Sequence, residues 1–111
     1  MKYNLATEYT DIPGGRYRKN GKFSGEEFRD DILHNLIENC IRNKEKLIIN
    51  LDDVYGFPPS FLEETFGGLI REYNYTESQL KEVLDFIAND EPSLIDKIFN
   101  YIQEAQKNKR G

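Results

Sequence analysis

The strongest constraint on the fold is the segment 47–69, which reads LIINLDDVYGFPPSFLEETFGGL. Its apolar start is typical of a strand covered on both faces in a mostly parallel sheet, because such a strand has no solvated side on which polar residues alternate. Gly56, Pro58 and Pro59 then interrupt regular structure, and a proline disfavours helical backbone at the residue before it. The sequence therefore predicts a buried strand, a tight connection and a helix that begins at Ser60.

Ser60 and Glu63 have the S-x-x-E spacing of a capping box, in which the hydroxyl caps the helix and the carboxylate bonds back to the cap amide. The same kind of spacing predicts two more helix starts, at Ser24 with Glu27 and at Thr76 with Gln79. Gly67 and Gly68 follow within the first of these helices, where each costs about 1 kcal/mol relative to alanine. They indicate either a surface contact of this helix or close internal packing.

The hydrophobic pattern predicts that strands and helices alternate along the chain. A first edge strand is predicted over residues 3–9 and a terminal amphipathic helix over residues 94–105, followed by a frayed tail over residues 107–111. Residues 80–88 fit both a helix and a buried strand, and we favour a short helical turn followed by a strand. The predicted fold class is α/β, with a small mixed, mostly parallel sheet and right-handed crossovers, in a single domain of 111 residues.

Composition restricts the classes of function. The formal net charge of −5 argues against general nucleic-acid binding. No apolar run approaches the roughly 18 residues that span a bilayer, and the chain does not begin as a signal peptide does, so the expected location is the cytoplasm. Cys40, the single cysteine, is expected to be a core thiol, and His34, the single histidine, is expected at an exposed helix position without a second zinc ligand. Neither a metal site nor a cofactor is predicted.

A local cationic segment stands out against this acidic composition. We call it the basic loop, and its cations are Arg16, Arg18, Lys19 and Lys22. With two aromatic rings available for stacking, it could bind a phosphate-bearing ligand or a nucleic-acid backbone. It lacks the spacing of a P-loop or of a dinucleotide-binding turn. The alternative is a solvated loop whose arginines pair with the nearby acids Glu26, Glu27, Asp30 or Asp31.

An enzymatic function is not predicted. Asp52, Asp53, Glu63 and Glu64 lie near the carboxyl end of the predicted strand, where open α/β sheets bind their ligands, and could in principle hold Mg²⁺. No base, nucleophile or set of metal ligands completes a site. Adjacent residues of a strand also point in opposite directions, so Asp52 and Asp53 are not expected to act together.

Two blocks of the sequence resemble the STAS-like domain proteins of bacteria. They are PGGRYRKNGKFSGEEFRDDIL and LDDVYGFPPSFLEETFGGLIR, which lie in the first two thirds of the chain. These proteins are related by resemblance to the STAS fold of anti-sigma factor antagonists and sulfate transporter tails. In the antagonists, a partner kinase of the histidine-kinase-like ATPase class phosphorylates a Ser or Thr at a helix start, which breaks the complex. Ser60 matches that position, whereas Pro58 and Pro59 stand where the antagonists have Asp-Ser.

The resemblance implies a non-catalytic regulatory protein-interaction module that is switched by phosphorylation of Ser60. The implied partner is a histidine-kinase-like ATPase or an anti-sigma-like regulator. The residues expected to bind it are Phe57, Pro58, Pro59, Ser60, Phe61, Glu64, Gly67 and Gly68. The alternative for Ser60 alone is a helix cap, worth about 1 kcal/mol. The alternative for the whole protein is binding of a phosphate ligand or nucleic-acid backbone by the basic loop.

Overall fold

Three parallel strands form one sheet in the order β1 (Lys2–Asn4), β2 (Leu47–Asn50) and β3 (Leu84–Ile87). The structure is a computed structural model, which describes residues 1–110. Its five helices are α1 (Leu5–Glu8), α2 (25–42), α3 (59–73), α4 (Glu77–Val83) and α5 (Ser93–Arg110). The predicted α/β class and the alternation of strands and helices are confirmed.

Helices cover only one face of this sheet. Both crossovers step in the same direction across the sheet, and crossovers of the same hand then place their helices on the same side. The side chains that point to this side are buried in all three strands: Tyr3, Ile49 and Phe86. The opposite side of β2 carries Ile48 and Asn50, which are only half-buried. The prediction that this strand is covered on both faces is therefore wrong, because no helix among residues 1–110 buries Ile48 and Asn50 on its second side.

The predicted helix starts have different outcomes. The Ser24 hydroxyl accepts a hydrogen bond from the Glu27 amide at 3.0 Å and caps α2 as predicted. The capping box of Thr76 and Gln79 forms with both of its hydrogen bonds. The box predicted for Ser60 is wrong, because α3 begins at Pro59 with no side-chain cap and Ser60 is already its second residue. Proline suits the first helical position, where its missing N–H leaves one donor fewer to satisfy.

Strand β1 ends earlier than predicted. The Asn4 side chain accepts from the Thr7 amide at 3.3 Å and turns the chain directly into α1, so the predicted strand over residues 3–9 is wrong beyond residue 4. The choice of a helical turn followed by a strand in residues 80–88 is confirmed by α4 and β3.

The C-terminal helix α5 is longer than predicted. It continues to Arg110, and the Lys109 ammonium donates to the Ile70 carbonyl at 2.8 Å. The predicted fraying is therefore wrong for residues 107–110, and residue 111 lies outside the described part. Within that described part, none of the helices is both long and apolar enough to cross a bilayer.

Candidate functional site

An exposed apolar surface surrounds the start of α3. The Tyr55 side chain is 85% exposed, and its backbone N–H donates to the Asp11 carbonyl at 2.9 Å, which holds the segment containing Ile12 against the loop after β2. Ile12 is itself 63% exposed. We define the docking surface as Ile12, Tyr55, Phe57, Pro58 and Pro59, of which Phe57 and Pro58 are half-buried. Ser60, which is half-buried, follows directly in the first turn of α3.

Half of the residues predicted to bind a partner do not belong to this surface. Phe61 is fully buried against Phe28, with ring centroids 6.2 Å apart, and Glu64 is 5% exposed. Gly67 and Gly68 are also buried. These four positions are therefore not exposed to a partner in this structure, because the face of α3 that carries them packs against α2 and the basic loop.

A charge network occupies that inner face. Its members are three arginines and three acids: Arg16, Arg29, Arg71, Asp30, Glu63 and Glu64. They come from the basic loop, from α2 and from α3, so the network joins these three segments. Ion pairs removed from water contribute only when their hydrogen bonds are complete, and within the described residues no buried side-chain polar atom lacks a partner.

The Arg29–Glu64 pair is the buried centre of this network. The guanidinium is 4% exposed and donates both to the Glu64 carboxylate and to the Glu64 carbonyl, the latter at 3.0 Å. Its Nε donates to Asp30 Oδ1 at 2.8 Å, and the Tyr73 hydroxyl donates to the same oxygen at 2.8 Å. Burial acts to lower the pKa of Arg29, but the hydrogen bonds to Asp30 and Glu64 outweigh it and raise that pKa. Arg29 therefore stays charged inside the protein.

Glu63 lies in the outer, half-exposed layer of the network. Arg71 donates to it with both terminal nitrogens, at 2.5 and 3.1 Å, and Arg16 donates to Glu63 Oε1, which also accepts from Arg71. Burial acts to raise the pKa of Glu63, but the hydrogen bonds from Arg71 and Arg16 outweigh it and lower that pKa. Arg16 also reaches Glu64 Oε1 at 3.1 Å. One arginine of the basic loop is thus a structural clamp between that loop and α3.

Gly67 and Gly68 are explained by the space that the network needs. A Cβ at Gly68 would collide with Arg29 Nη1 and lie 2.9 Å from its Cδ, and a Cβ at Gly67 would lie 2.5 Å from Glu63 Oε2. Close internal packing, one of the two interpretations of these glycines, is therefore the observed one. The surrounding turns are π-helical, over Phe28–Leu33 in α2 and Glu63–Gly67 in α3, and the two π-helical segments contact each other.

The basic loop has less free positive charge than its sequence indicates. Arg18 forms a bidentate pair with Asp31, at 2.6 and 3.0 Å, which confirms the predicted pairing with a nearby acid. Arg16 instead pairs with acids of α3, which are distant in sequence. Lys19 lies 5.6 Å from the centroid of the Tyr17 ring, and Lys22 is exposed. Of the four predicted anion-binding residues, two are therefore occupied by carboxylates.

The four acids near the carboxyl end of β2 do not converge. Asp52 accepts from the Asn89 side chain at 3.0 Å and from the Asp90 amide at 2.9 Å, so it ties the loop after β2 to the loop after β3. Glu63 and Glu64 are engaged with arginines. Among residues 1–110, no three His, Cys, Asp or Glu side chains are arranged to hold a metal ion.

His34 belongs to a polar cluster that the sequence analysis missed. Its ring stacks on Tyr73 with centroids 3.9 Å apart, and its Nδ1 lies 3.1 Å from the Tyr75 hydroxyl, which donates to Glu38 at 2.5 Å. Burial and the hydrogen bond with Glu38 raise the pKa of Tyr75. The expectation of an exposed histidine is wrong, since the side chain is half-buried under these rings. The i,i+4 spacing of His34 and Glu38 on one helix face was the available signal.

Cys40 is buried, as predicted, and its Sγ lies 3.9 Å from Met1 Sδ. Burial raises the pKa of this thiol, which keeps it in the poorly nucleophilic protonated form. Cys40 and His34 both lie in α2, and neither residue contributes to the docking surface.

Comparisons with known proteins identify a family but no individual relative. The sequence matches no curated protein and no solved structure. It does match a family model over residues 24–94, from the cap of α2 to the first turn of α5, a span that includes β2, α3, β3 and most of the charge network. The chain belongs to the family described as the STAS-like domain of unknown function (DUF4325).

Proposed function

We propose that this chain is a single-domain, non-catalytic regulatory module that binds a protein partner through the docking surface and the start of α3. Phosphorylation of Ser60 by an ATPase-type kinase switches that binding. The proposal rests on membership of a STAS-like family and on one observation, the exposure of apolar side chains directly beside a serine at a helix start. A cytoplasmic location is part of the proposal, since the kinase needs ATP.

The docking surface has the character of a protein contact. Apolar side chains scattered singly on a surface are ordinary, but contiguous ones mark interaction sites. The backbone hydrogen bond from Tyr55 to Asp11 holds Tyr55 next to the segment that contains Ile12, and Pro58 and Pro59 restrict the backbone of the same loop. A rigid, preformed loop loses little conformational entropy on binding. The partner face that suits it is apolar, with room for the Tyr55 ring.

The environment of Ser60 is compatible with a switch. Its hydroxyl is not used as the cap of α3, which weakens the alternative in which the residue is only an N-cap. Phosphate would add about −1.5 to −2 charges at this point, next to an apolar surface that a partner must desolvate. The helix itself tolerates the modification, because a helix N-terminus favours anions. We therefore expect phosphorylation to weaken binding to an apolar or acidic partner while leaving the fold intact.

Capture of partners by the wild-type chain and by Ser60→Asp, followed by mass spectrometry, tests this proposal. Ser93→Asp is the matched control, because Ser93 is also a serine in the first turn of a helix, α5, and is not a residue of the docking surface. We expect Ser60→Asp to lose a partner that Ser93→Asp retains, and phosphate to be found on Ser60 in the native host. Equal recovery by all three chains, together with unmodified Ser60, would contradict the switch.

Anion binding by the basic loop is the alternative proposal, and it now depends on Lys19 and Lys22. Phosphate contacts weaken steeply as salt concentration rises. Titration with a single-stranded oligonucleotide at two salt concentrations tests it, with Lys19→Gln/Lys22→Gln as the variant. Binding that is absent at low salt, or equal in the variant, removes this alternative.

A further inference from the structure

The bare face of the sheet is unusual for parallel strands. Parallel sheets occur almost only where both faces are covered, because their strands are built from apolar runs. Here β2 reads Leu-Ile-Ile-Asn, yet helices cover only its Leu47 and Ile49 side, and Ile48 points into the opposite, open side. We propose that a second copy of this chain covers the open face, so that two sheets pack face to face in a symmetric dimer.

The register of the strands determines which charged residues lie in one row on the open face. Lys2, Ile48 and Asp85 are direct partners across the three strands and form one row over the sheet. Neighbouring strands lie about 4.8 Å apart, so the backbones of Lys2 and Asp85 are about 10 Å apart with that of Ile48 between them. Lys2 and Asp85 are both exposed. The row therefore has a positive end, an apolar centre and a negative end.

This row is complementary to itself under one particular symmetry. A two-fold axis parallel to the strands, placed between two facing sheets, sets β1 of one copy over β3 of the other and keeps the height along the strands. Lys2 of each copy then faces Asp85 of the other, and Ile48 faces its own counterpart. A two-fold axis across the strands would instead set each strand over itself and would pair neither charge. The charge pattern thus selects the first arrangement.

The next row consists of Asn4, Asn50 and Ile87. The same two-fold axis sets Asn50 over its counterpart and Asn4 over Ile87, so the ion pairs of the first row alone select the arrangement. A shallow hollow of about 190 Å³ lies over these two rows, lined by Lys2, Tyr3, Asn4, Glu8, Ile48, Asn50 and Ile87. Facing sheets pack about 10 Å apart, a distance that lets side chains of the second copy fill such a hollow.

The expected association is weak. The face offers only three strands of three or four residues each, whereas stable interfaces bury about 800 Å² on each partner. We therefore expect a monomer–dimer equilibrium that shifts with protein concentration, as mass action requires. The docking surface lies in the loops at the carboxyl ends of the strands and not on this face, so dimerisation does not depend on the function proposed above.

Charge reversal tests both the surface and its symmetry. In Lys2→Asp and in Asp85→Lys, both ends of the row carry the same charge, so each variant repels its own copies. The charges of the two variants are opposite, so an equimolar mixture restores both ion pairs in a heterodimer. Lys97→Asp, which reverses the charge at an exposed position of α5, is the control. Any tag belongs at the C-terminus, because the Met1 amino group donates to the Lys46 carbonyl at 2.9 Å.

Sedimentation velocity over a roughly hundredfold concentration range gives the readout. We expect the wild type and Lys97→Asp to dimerise with rising concentration, each row variant to remain monomeric, and the mixture to dimerise. Far-UV circular dichroism checks the fold of every variant. We expect all of them to be folded, because Lys2, Asp85 and Lys97 are exposed. A wild type that stays monomeric throughout overturns the proposal, as do row variants that dimerise alone or a mixture that fails to associate.

Discussion

Replacement of Gly68 by alanine is the sharpest test of the charge network. The new Cβ would collide with the terminal nitrogen of Arg29 and lie 2.9 Å from its Cδ, and the guanidinium has no free volume to enter because it is 4% exposed. The arginine must therefore move and leave Glu64, which is almost as deeply buried. Breaking a buried ion pair costs about 3–5 kcal/mol. The higher helix propensity of alanine offsets about 1 kcal/mol of this loss of stability.

We therefore expect Gly68→Ala to lower the free energy of unfolding by about 2–4 kcal/mol. For a domain of this size the melting temperature would fall by roughly 8–15 °C. Gly67→Ala is the matched control, because the atom that its Cβ meets is the end of the half-exposed Glu63 side chain, which can shift toward water. Urea denaturation of both variants measures the difference. A Gly68→Ala protein as stable as the wild type would refute the claim that Arg29 requires this glycine.

Three further predictions concern the helix cap, the close helix contact and pH. Ser24→Ala should lower the free energy of unfolding by about 1 kcal/mol, because the Ser24 hydroxyl caps a helix. Ser60→Ala should change it by less than about 0.5 kcal/mol, because the Ser60 hydroxyl caps none. Equal losses of stability in urea denaturation would contradict this. Gly25→Ala should cost about 2 kcal/mol or more in the same assay, because its Cβ would lie 2.6 Å from the Phe61 carbonyl and push α2 away from α3. Arginine hydrogen bonds lower the pKa of Glu63 in the folded state, so its stabilising contribution is complete above the unfolded pKa of about 4.3 and is lost as pH falls through the lowered folded value. Thermal melts of the wild type should therefore show stability falling below about pH 5, with a smaller fall in Glu63→Gln.

The elements that follow from local sequence were predictable. Helix starts at Ser24 and Thr76 depend on a hydroxyl and a side chain three residues later, which the sequence displays directly. The same rule was misleading at Ser60, because the preceding proline had already taken the first helical position. Strand β1 was predicted too long for a related reason. The Asn4 side chain accepts a hydrogen bond from the Thr7 amide, and a helix begins at the next residue.

The charge network could not be predicted, because its members are far apart in sequence. Arg16 and Glu63 are separated by 47 residues, and Arg29 and Glu64 by 35. Periodicity assigns Arg29 and Glu64 to the polar class, and polar residues are expected at the surface. The only local indication was the pair of glycines, whose cost in a helix required a neighbour that approaches closely. What approaches is a side chain from another helix, which a single sequence does not identify.

The two π-helical segments place an extra residue in each of α2 and α3 at the turns where these helices contact each other. A π turn closes its hydrogen bonds over five residues where an α turn uses four, so each segment behaves as a one-residue insertion in an otherwise ordinary helix. Deletion of one residue from Glu63–Gly67 would convert that π turn into an ordinary α turn and leave the residues after it close to their present orientation. Glu63 and Arg71 would then be separated by seven residues, about two α-helical turns, and should still pair. Single-residue differences in length among relatives should therefore be tolerated within these two turns.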